Sequence, residues 1–443
     1  MVEPKFSGFN SCRLLRQRGF RVPKVLKVGR LRKLGVCLLL IVLVFITCIV
    51  EEYRQSLPSY NSARALKKPS ECFAEGSQWH NILNGSLEKL SDGAYLGGAT
   101  PKVVARFSGP QHPKRAVWKP FLFVNPNANR RHVEQALYEV FAFHVGCMVG
   151  MELTPPAVGW SFNSRTLLDT IGGVTAGQLA YRRLDIAREP SFALPGVMLS
   201  FYENLQHRSE IGRKVAPWLE NITLRWLPNV ERELSSQQVQ DHLTGNWDRT
   251  NNYFWIRSAA GVKLVNADNN HLTFNPRNAL THCRFHRPLV ERLRELDRFD
   301  RAWDGGNIII SPRPVPPDFE RNRRNASYHA GHQACTVCFE NQRSERYGCI
   351  TKGEGEDEEL PAAGLTLQTA VSLVRRDPLF CSYLRMEIDT GQSSEEGFNV
   401  NSRAPDTFRR GWSLLKALDG RVRQVLTHVD KCVAKFDEDH VFN

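Results

Sequence analysis

The chain has 443 residues, 42% of them apolar and 10% aromatic, which is enough length and hydrophobic surface for one or two globular bodies and excludes a disordered chain. A formal net charge of +13 would ordinarily raise nucleic acid as a partner. Residues 1–33, however, carry ten basic residues against the single acid Glu3, so this tail supplies +9 and the other 410 residues only +4, which argues against a nucleic-acid surface on the main body.

Behind the tail, residues 34–50 form a run of 17 without a charge, closed by Glu51 and Glu52. That length reaches the lower end of the ~17–25 residues needed to cross a bilayer. A cleaved signal peptide is disfavoured, because the basic leader is long and no small-x-small cleavage site follows. The run therefore predicts an uncleaved signal anchor, and the positive-inside bias places residues 1–33 in the cytoplasm and the rest in the lumen. Three sequons, at Asn84, Asn221 and Asn325, all follow the span. Eight of the 11 cysteines do so as well, an even number that permits disulfides in an oxidising compartment. Residues 51–86, punctuated by Pro58 and Pro69 and without sustained periodicity, read as a stem.

The body is expected to start near Leu87. Residues 102–107 and 115–120 read as an antiparallel strand pair that ends in Lys119. Residues 131–150 read as a helix, with Val133, Leu137, Val140, Phe141, His144, Val145 and Met148 at spacings of three and four. Glu139 lies off that apolar face, and His144 on it reads as a packed core histidine. Residues 224–229 mark a junction, and 235–243 a helix that runs into Gly245-Asn246-Trp247-Asp248-Arg249-Thr250-Asn251-Asn252. A hairpin follows, residues 253–256 and 262–265 about a turn at 258–261, and leads to Asp268. Asp248 and Asp268 thus flank one short ribbon. A loop aspartate able to accept a hydroxyl proton and a strand-end aspartate able to hold a divalent metal are the two acids of a phosphoryl-transfer site. Further helices are expected at 288–296, 365–374 and 412–436, and a mobile insertion at 305–364, where Pro312, Pro314, Pro316 and Pro317 precede an acidic run at 356–359.

Taken in order, Val117-Trp118-Lys119-Pro120, the segment from Glu139 to His144, Thr154-Pro155-Pro156, Arg225-Trp226-Leu227-Pro228-Asn229, Gly245-Asn246-Trp247-Asp248-Arg249 with Asp268-Asn269, and the terminal Leu418-Asp419-Gly420-Arg421 resemble the secretory-pathway kinases. This group comprises the Golgi casein kinase, the glycosaminoglycan xylosylkinase and four-jointed. The resemblance implies an α+β, two-lobed, atypical protein-kinase-like fold behind a single N-terminal transmembrane helix. Residues 87–225 would form the N-lobe and 226–443 the C-lobe. It implies a type II Golgi membrane protein with a luminal catalytic domain, ATP as donor and Mn2+ or Mg2+ as metal. Carried over by position, Asp248 would be the catalytic base and Asp268 the metal ligand. Lys119 would contact ATP phosphates, Glu139 would face nucleotide and metal, and Asn251 or Asn252 would complete the cofactor site. Cys283 and Cys432 would tie the C-lobe together.

The chain departs from the group at Thr250-Asn251-Asn252-Tyr253 after the base and at Asn270, where the group carries a glycine. No phosphate-covering glycine loop is legible beyond Gly97-Gly98. The acceptor expected is a secreted or cell-surface protein, with a proteoglycan xylose as the alternative, and a pseudokinase activator or scaffold, or a dimer with itself or a related kinase, as further readings. Cys335, Cys338 and Cys349 with His329 and His332 have zinc-like spacing, but luminal cysteines at such spacing more often form disulfides. No Walker A, HExxH, GxSxG or dinucleotide fingerprint is present.

Overall fold

The computed structural model describes residues 66–96, 100–109, 114–120, 122–124, 133–151, 154–182, 193–202, 205–207, 228–246, 254–258, 261–269, 272, 280–303, 308–312, 335–341, 346–351, 363–380 and 404–442. All of them belong to the unit Ala63–Asn443. The expected membrane span at 34–50 lies outside these residues; among the described residues no helix is long and apolar enough to cross a membrane.

The fold is mixed helix and sheet, with its large sheet drawn from the N-terminal half and most long helices from the C-terminal half. It begins earlier than the sequence suggests. Helices α1, Pro69–Phe73, and α2, Gln78–Asn84, lie inside the stretch read as stem. They are part of the body because Phe73, Trp79 and Ile82 are buried and Cys72 is disulfide-bonded to Cys147. Helices this short show no sustained period, which is why the stem reading runs too far. Asn84, the first sequon, is exposed at the end of α2.

Strands β1 (Leu87–Asp92), β2 (Val103–Phe107), β3 (Arg115–Pro120), β6 (Ala157–Asn163) and β7 (Ala193–Ser200) form one antiparallel sheet in the order β1-β2-β3-β7-β6. The expected pair β2 and β3 is present, and β3 lies at the centre with Lys119 opposite Val197 of β7. Alternation along β3 turns Trp118 and Lys119 to opposite faces. The Trp118 indole donates to the carbonyl of Trp160, 3.1 Å, and packs edge-on against Phe162.

The predicted helix 131–150 begins later. Val133–Gln135 is strand β5, paired with β4, Leu122–Val124, and the helix α3 runs from Leu137 to Met148. Val133 therefore serves a strand register rather than the helical stripe. Helix α3 touches β6 and β7 on one side and, on the other, helices α6 (Pro228–Thr244) and α8 (Leu365–Arg376). Being covered all round, it buries even Glu139, which lies off its apolar stripe, as well as His144 on it.

Two further helices complete the C-terminal half. Helix α7 (Arg287–Trp303) and the long α9 (Ala404–Phe436) pack together, with Leu289, Leu293 and Leu296 of α7 and Leu415, Leu418, Val422, Val425 and Val429 of α9 buried. A second disulfide, Cys283–Cys432, fastens the segment before α7 to α9. The sheet and the helices are also stitched together by the buried Asp377, just past α8, whose carboxylate accepts from the Gly159 amide of β6, 2.8 Å. Within the predicted insertion 305–364, β11 (Ile308–Pro312), β12 (Cys335–Asn341) and β13 (Arg346–Thr351) form an antiparallel sheet against α8. Cys338 and Cys349 face each other in its register. His329, His332 and the acidic run lie outside the described residues.

Candidate active site

The site is assembled by three elements that the chain separates widely. Strand β3 delivers Lys119, helix α3 delivers Glu139, and the exit of the hairpin β9–β10 delivers Asp268 and Asn269. The hairpin, Phe254–Ser258 with Gly261–Val265, pairs Ser258 with Gly261, so both strands reach further toward each other than the sequence suggests. Asp268 lies three residues past the last pair, Val265 with Phe254.

Lys119 Nζ donates to Glu139 Oε1 at 2.6 Å and to Asp268 Oδ1 at 3.0 Å. The lysine and glutamate side chains are buried, while that of Asp268 is 36% exposed. Burial alone would depress the ammonium. The charge of Glu139, then that of Asp268, and the hydrogen bonds from both outweigh it and hold Lys119 above its ordinary pKa, firmly protonated. Lys119 thus lies between two carboxylates, of which Asp268 is the more exposed.

Asn269 fixes the second oxygen of Glu139. Its backbone amide and its Nδ2 both donate to Glu139 Oε2, at 3.0 and 3.1 Å, and Nδ2 also donates to the carbonyl of Asn266, 2.6 Å. Asp268 has φ of 62°, a left-handed conformation that aspartate tolerates better than most residues. Consecutive residues can then send one side chain to Lys119 and the next to Glu139. The other wall starts at α6, which ends in Gly245 at φ 76°, with the Asn246 amide donating back to the carbonyl of Asp241, 2.9 Å. This is a Schellman cap, and glycine is needed at its left-handed position. Immediately beyond it, Asn246 Nδ2 donates to Asn269 Oδ1, 3.2 Å, so the loop after α6 is tied to the loop after the hairpin.

Helix α6 is itself anchored at depth. Gln240 Nε2 donates to the carbonyl of Ala142 on α3, 3.1 Å, and contacts Thr154. Arg421 of α9 donates to the carbonyl of Leu243, 2.7 Å, and burial pulls its guanidinium down to about 10. Asp419, two residues earlier, accepts from the Thr366 amide, 3.2 Å. Burial pushes its carboxyl up to about 6, with the Thr366 bonds opposing and the charge of Asp300 adding. The terminal motif thus supports the site from behind without entering it.

Of the sequence candidates, Lys119, Glu139 and Asp268 are brought together. Asp248, Asn251 and Asn252 lie outside the described residues, as do Gly97 and Gly98. Glu139 and Asp268 offer hard carboxylate oxygens of the type Mn2+ and Mg2+ prefer. Their capacities differ: Glu139 Oε2 already takes two N–H donors, so any metal contact from Glu139 falls to Oε1. Asn246 and Asn269 are the residues that sequence reasoning missed as participants. His144 is a core histidine as expected, bonded to Ser372 Oγ at 2.8 Å. Burial, aided by Arg376, lowers its pKa to about 3. Cys283, His428 and Cys432 lie within 4.8 Å of one another, but the two sulfurs are joined, which removes the thiolates a metal would need.

No protein-family model and no curated protein matches the chain. Among solved structures it is similar to the hydra Fam20 with sugar, at 14% identity and a TM-score of 0.43, covering 88% of this chain and 97% of that one. It is similar to the Golgi casein kinase at 13% identity and a TM-score of 0.43, covering 82% of this chain and 76% of the other. The same kinase with Mn and ADP bound aligns at 12% identity and a TM-score of 0.42, over 82% and 77%.

Proposed function

We propose that the chain is an ATP-dependent kinase of the secretory pathway, with a two-lobed fold whose cleft is the Lys119, Glu139 and Asp268 cluster. The observation that carries this reading is the bridging ammonium of Lys119, held at 2.6 Å by Glu139 and 3.0 Å by Asp268. Strand lysine, helix glutamate and post-hairpin aspartate meet in the order and roles that phosphoryl transfer requires. The motif resemblance of the sequence supports the same reading.

In this site Lys119 neutralises nucleotide phosphates and Glu139 keeps its ammonium aimed. Asp268, with Oε1 of Glu139, would hold Mn2+ or Mg2+, which supplies charge neutralisation on the polyphosphate. Asp248 is assigned as the base. The acceptor hydroxyl oxygen bonds to the γ-phosphorus, the bond from phosphorus to the β,γ-bridging oxygen breaks, the hydroxyl proton passes to the Asp248 carboxylate, and ADP leaves. Catalysis is then largely positioning, which suits a cluster as fully hydrogen-bonded as this one. The acceptor we assign is Ser or Thr on secreted or cell-surface proteins. The basic tail and uncharged run of the sequence favour a Golgi membrane anchor with the catalytic domain in the lumen.

The test is γ-phosphate transfer from ATP by the full-length protein with Mn2+, offered acidic Ser-containing peptides and xylose-bearing glycans side by side. Peptide phosphorylation, lost in Asp248→Ala and in Asp268→Ala, is expected. Turnover of the glycan alone moves the acceptor to sugar. Full activity in Asp268→Ala refutes the mechanism.

A further inference from the structure

Helix α9 and the segment before α7 line an open cavity of about 480 Å3 that shares no residue with the Lys119 cluster. It adjoins the opposite end of α6: Glu231 in the first turn lines it, and Thr244 in the last turn leads to Asn246, a separation of about 20 Å at 1.5 Å per residue. Arg284, Lys431 and Lys435 line it against a single carboxylate, Glu231, and that carboxylate is already engaged by Arg284 Nε at 2.8 Å. His282, His428 and His440 also line it.

Two of the nearby acids are engaged elsewhere. Asp430 is engaged by Arg294 at 3.4 Å and Glu438 by Arg287 at 2.7 Å. Among the described residues neither Lys431 nor Lys435 has a carboxylate within salt-bridge distance, and both side chains are exposed. The walls are held by the Cys283–Cys432 disulfide and by His428 Nε2 against the carbonyl of His282, 3.0 Å. A cavity of this size, with a surplus of cations on covalently joined walls, is suited to an anionic group. Its one aromatic ring, Phe436, already has His440 stacked on it at 5.0 Å and the Lys435 ammonium over it at 4.7 Å. That arrangement leaves little ring face for a sugar.

We propose that this cavity is a second, non-catalytic site for a phosphomonoester dianion, either on a phosphorylated side chain of a protein or as free phosphate. Lys431 and Lys435 take the phosphoryl oxygens, and Arg284 is the inner donor. The claim stands on the cavity and not on phosphotransfer. Should the kinase reading hold, the chain's own phosphorylated products would be among the ligands.

Calorimetric titration of the full-length protein with a phosphoserine peptide, its unphosphorylated serine counterpart and inorganic phosphate tests the proposal. The phosphopeptide is expected to bind about tenfold or more tighter than the serine peptide. Binding of phosphate but not of the phosphopeptide assigns the site to the free ion. Lys431→Glu/Lys435→Glu should weaken binding about tenfold or more while leaving the melting midpoint in place, because both positions are exposed. Lys431→Ala/Lys435→Ala repeats the measurement if the charge reversal unfolds the helix end. Asp268→Ala, which leaves Lys119 paired with Glu139, should bind as the wild type does, even if phosphotransfer is never detected. Equal affinity for the two peptides with no phosphate binding, unchanged binding in both double variants, or loss of binding in Asp268→Ala overturns the proposal.

Discussion

Two charged clusters sit at the two ends of helix α6, and they are built on opposite principles. At the Asn246 end, Lys119 is buried and bridges two carboxylates, and Asn269 donates twice to one of them, Glu139. At the Glu231 end, Lys431 and Lys435 are exposed and outnumber the acid beside them. A buried charge must be paired, so its geometry is dictated by its partners; an exposed charge is free to await one. The first arrangement suits a site that positions reacting groups, the second a site that captures an anion.

The sharpest way to break the contrast is to remove the buried cation. Lys119→Met leaves Glu139 without its ammonium, and losing one partner of a buried pair costs about 3–5 kcal/mol. Phosphotransfer is expected to disappear with it. Adding Glu139→Gln should return part of the stability and none of the activity. Urea unfolding of both variants checks this, and equal stability of Lys119→Met and wild type contradicts it.

Next in size is the acid side. His144 is neutral in the fold and has a pKa of about 3, against 6.5 for a free histidine, so the unfolded chain binds the extra proton. Its contribution is intact above pH 6.5 and is lost as pH falls through the window from 6.5 to 3, at up to about 1.4 kcal/mol per pH unit. His144→Gln should flatten the fall in melting midpoint between pH 6.5 and 5. An unchanged slope would show that other groups cause it.

Asn269→Leu comes third. It removes the Nδ2 bond to Glu139 Oε2 and leaves Asn246 without its acceptor, for about 1–3 kcal/mol. Phosphotransfer should fall with nucleotide binding largely kept, because Lys119 keeps both carboxylates. Smallest of all, Lys431→Ala and Lys435→Ala should each move stability by less than about 0.5 kcal/mol. A large loss at either lysine would mean that the second region is structural after all.

The sequence made legible whatever depended on neighbours along the chain. The strands that carry Lys119, the hairpin that carries Asp268 and the helix that carries Glu139 were all readable from period and turn residues. Contacts made across the fold were not. Asn269 meets Glu139 over a separation of 130 residues, and Arg421 meets Leu243 over 178. An asparagine after an aspartate carries no local sign of such a partner. Helices α1 and α2 escaped notice because five and seven residues are too few to show a period, although the disulfide of Cys72 makes them part of the body. Glu139 lies off the apolar stripe of its helix and is buried all the same, because α3 is covered by β6, β7, α6 and α8 together.

The most direct test of the central claim is ligand-dependent thermal stability of the full-length protein and of Asp268→Ala. ATP with Mn2+ should raise the wild-type midpoint, UDP-sugars should not, and Asp268→Ala should fold normally but lose the metal-dependent part of the increment. Stabilisation by a UDP-sugar instead of ATP, or a full Mn2+-dependent increment in Asp268→Ala, would contradict it.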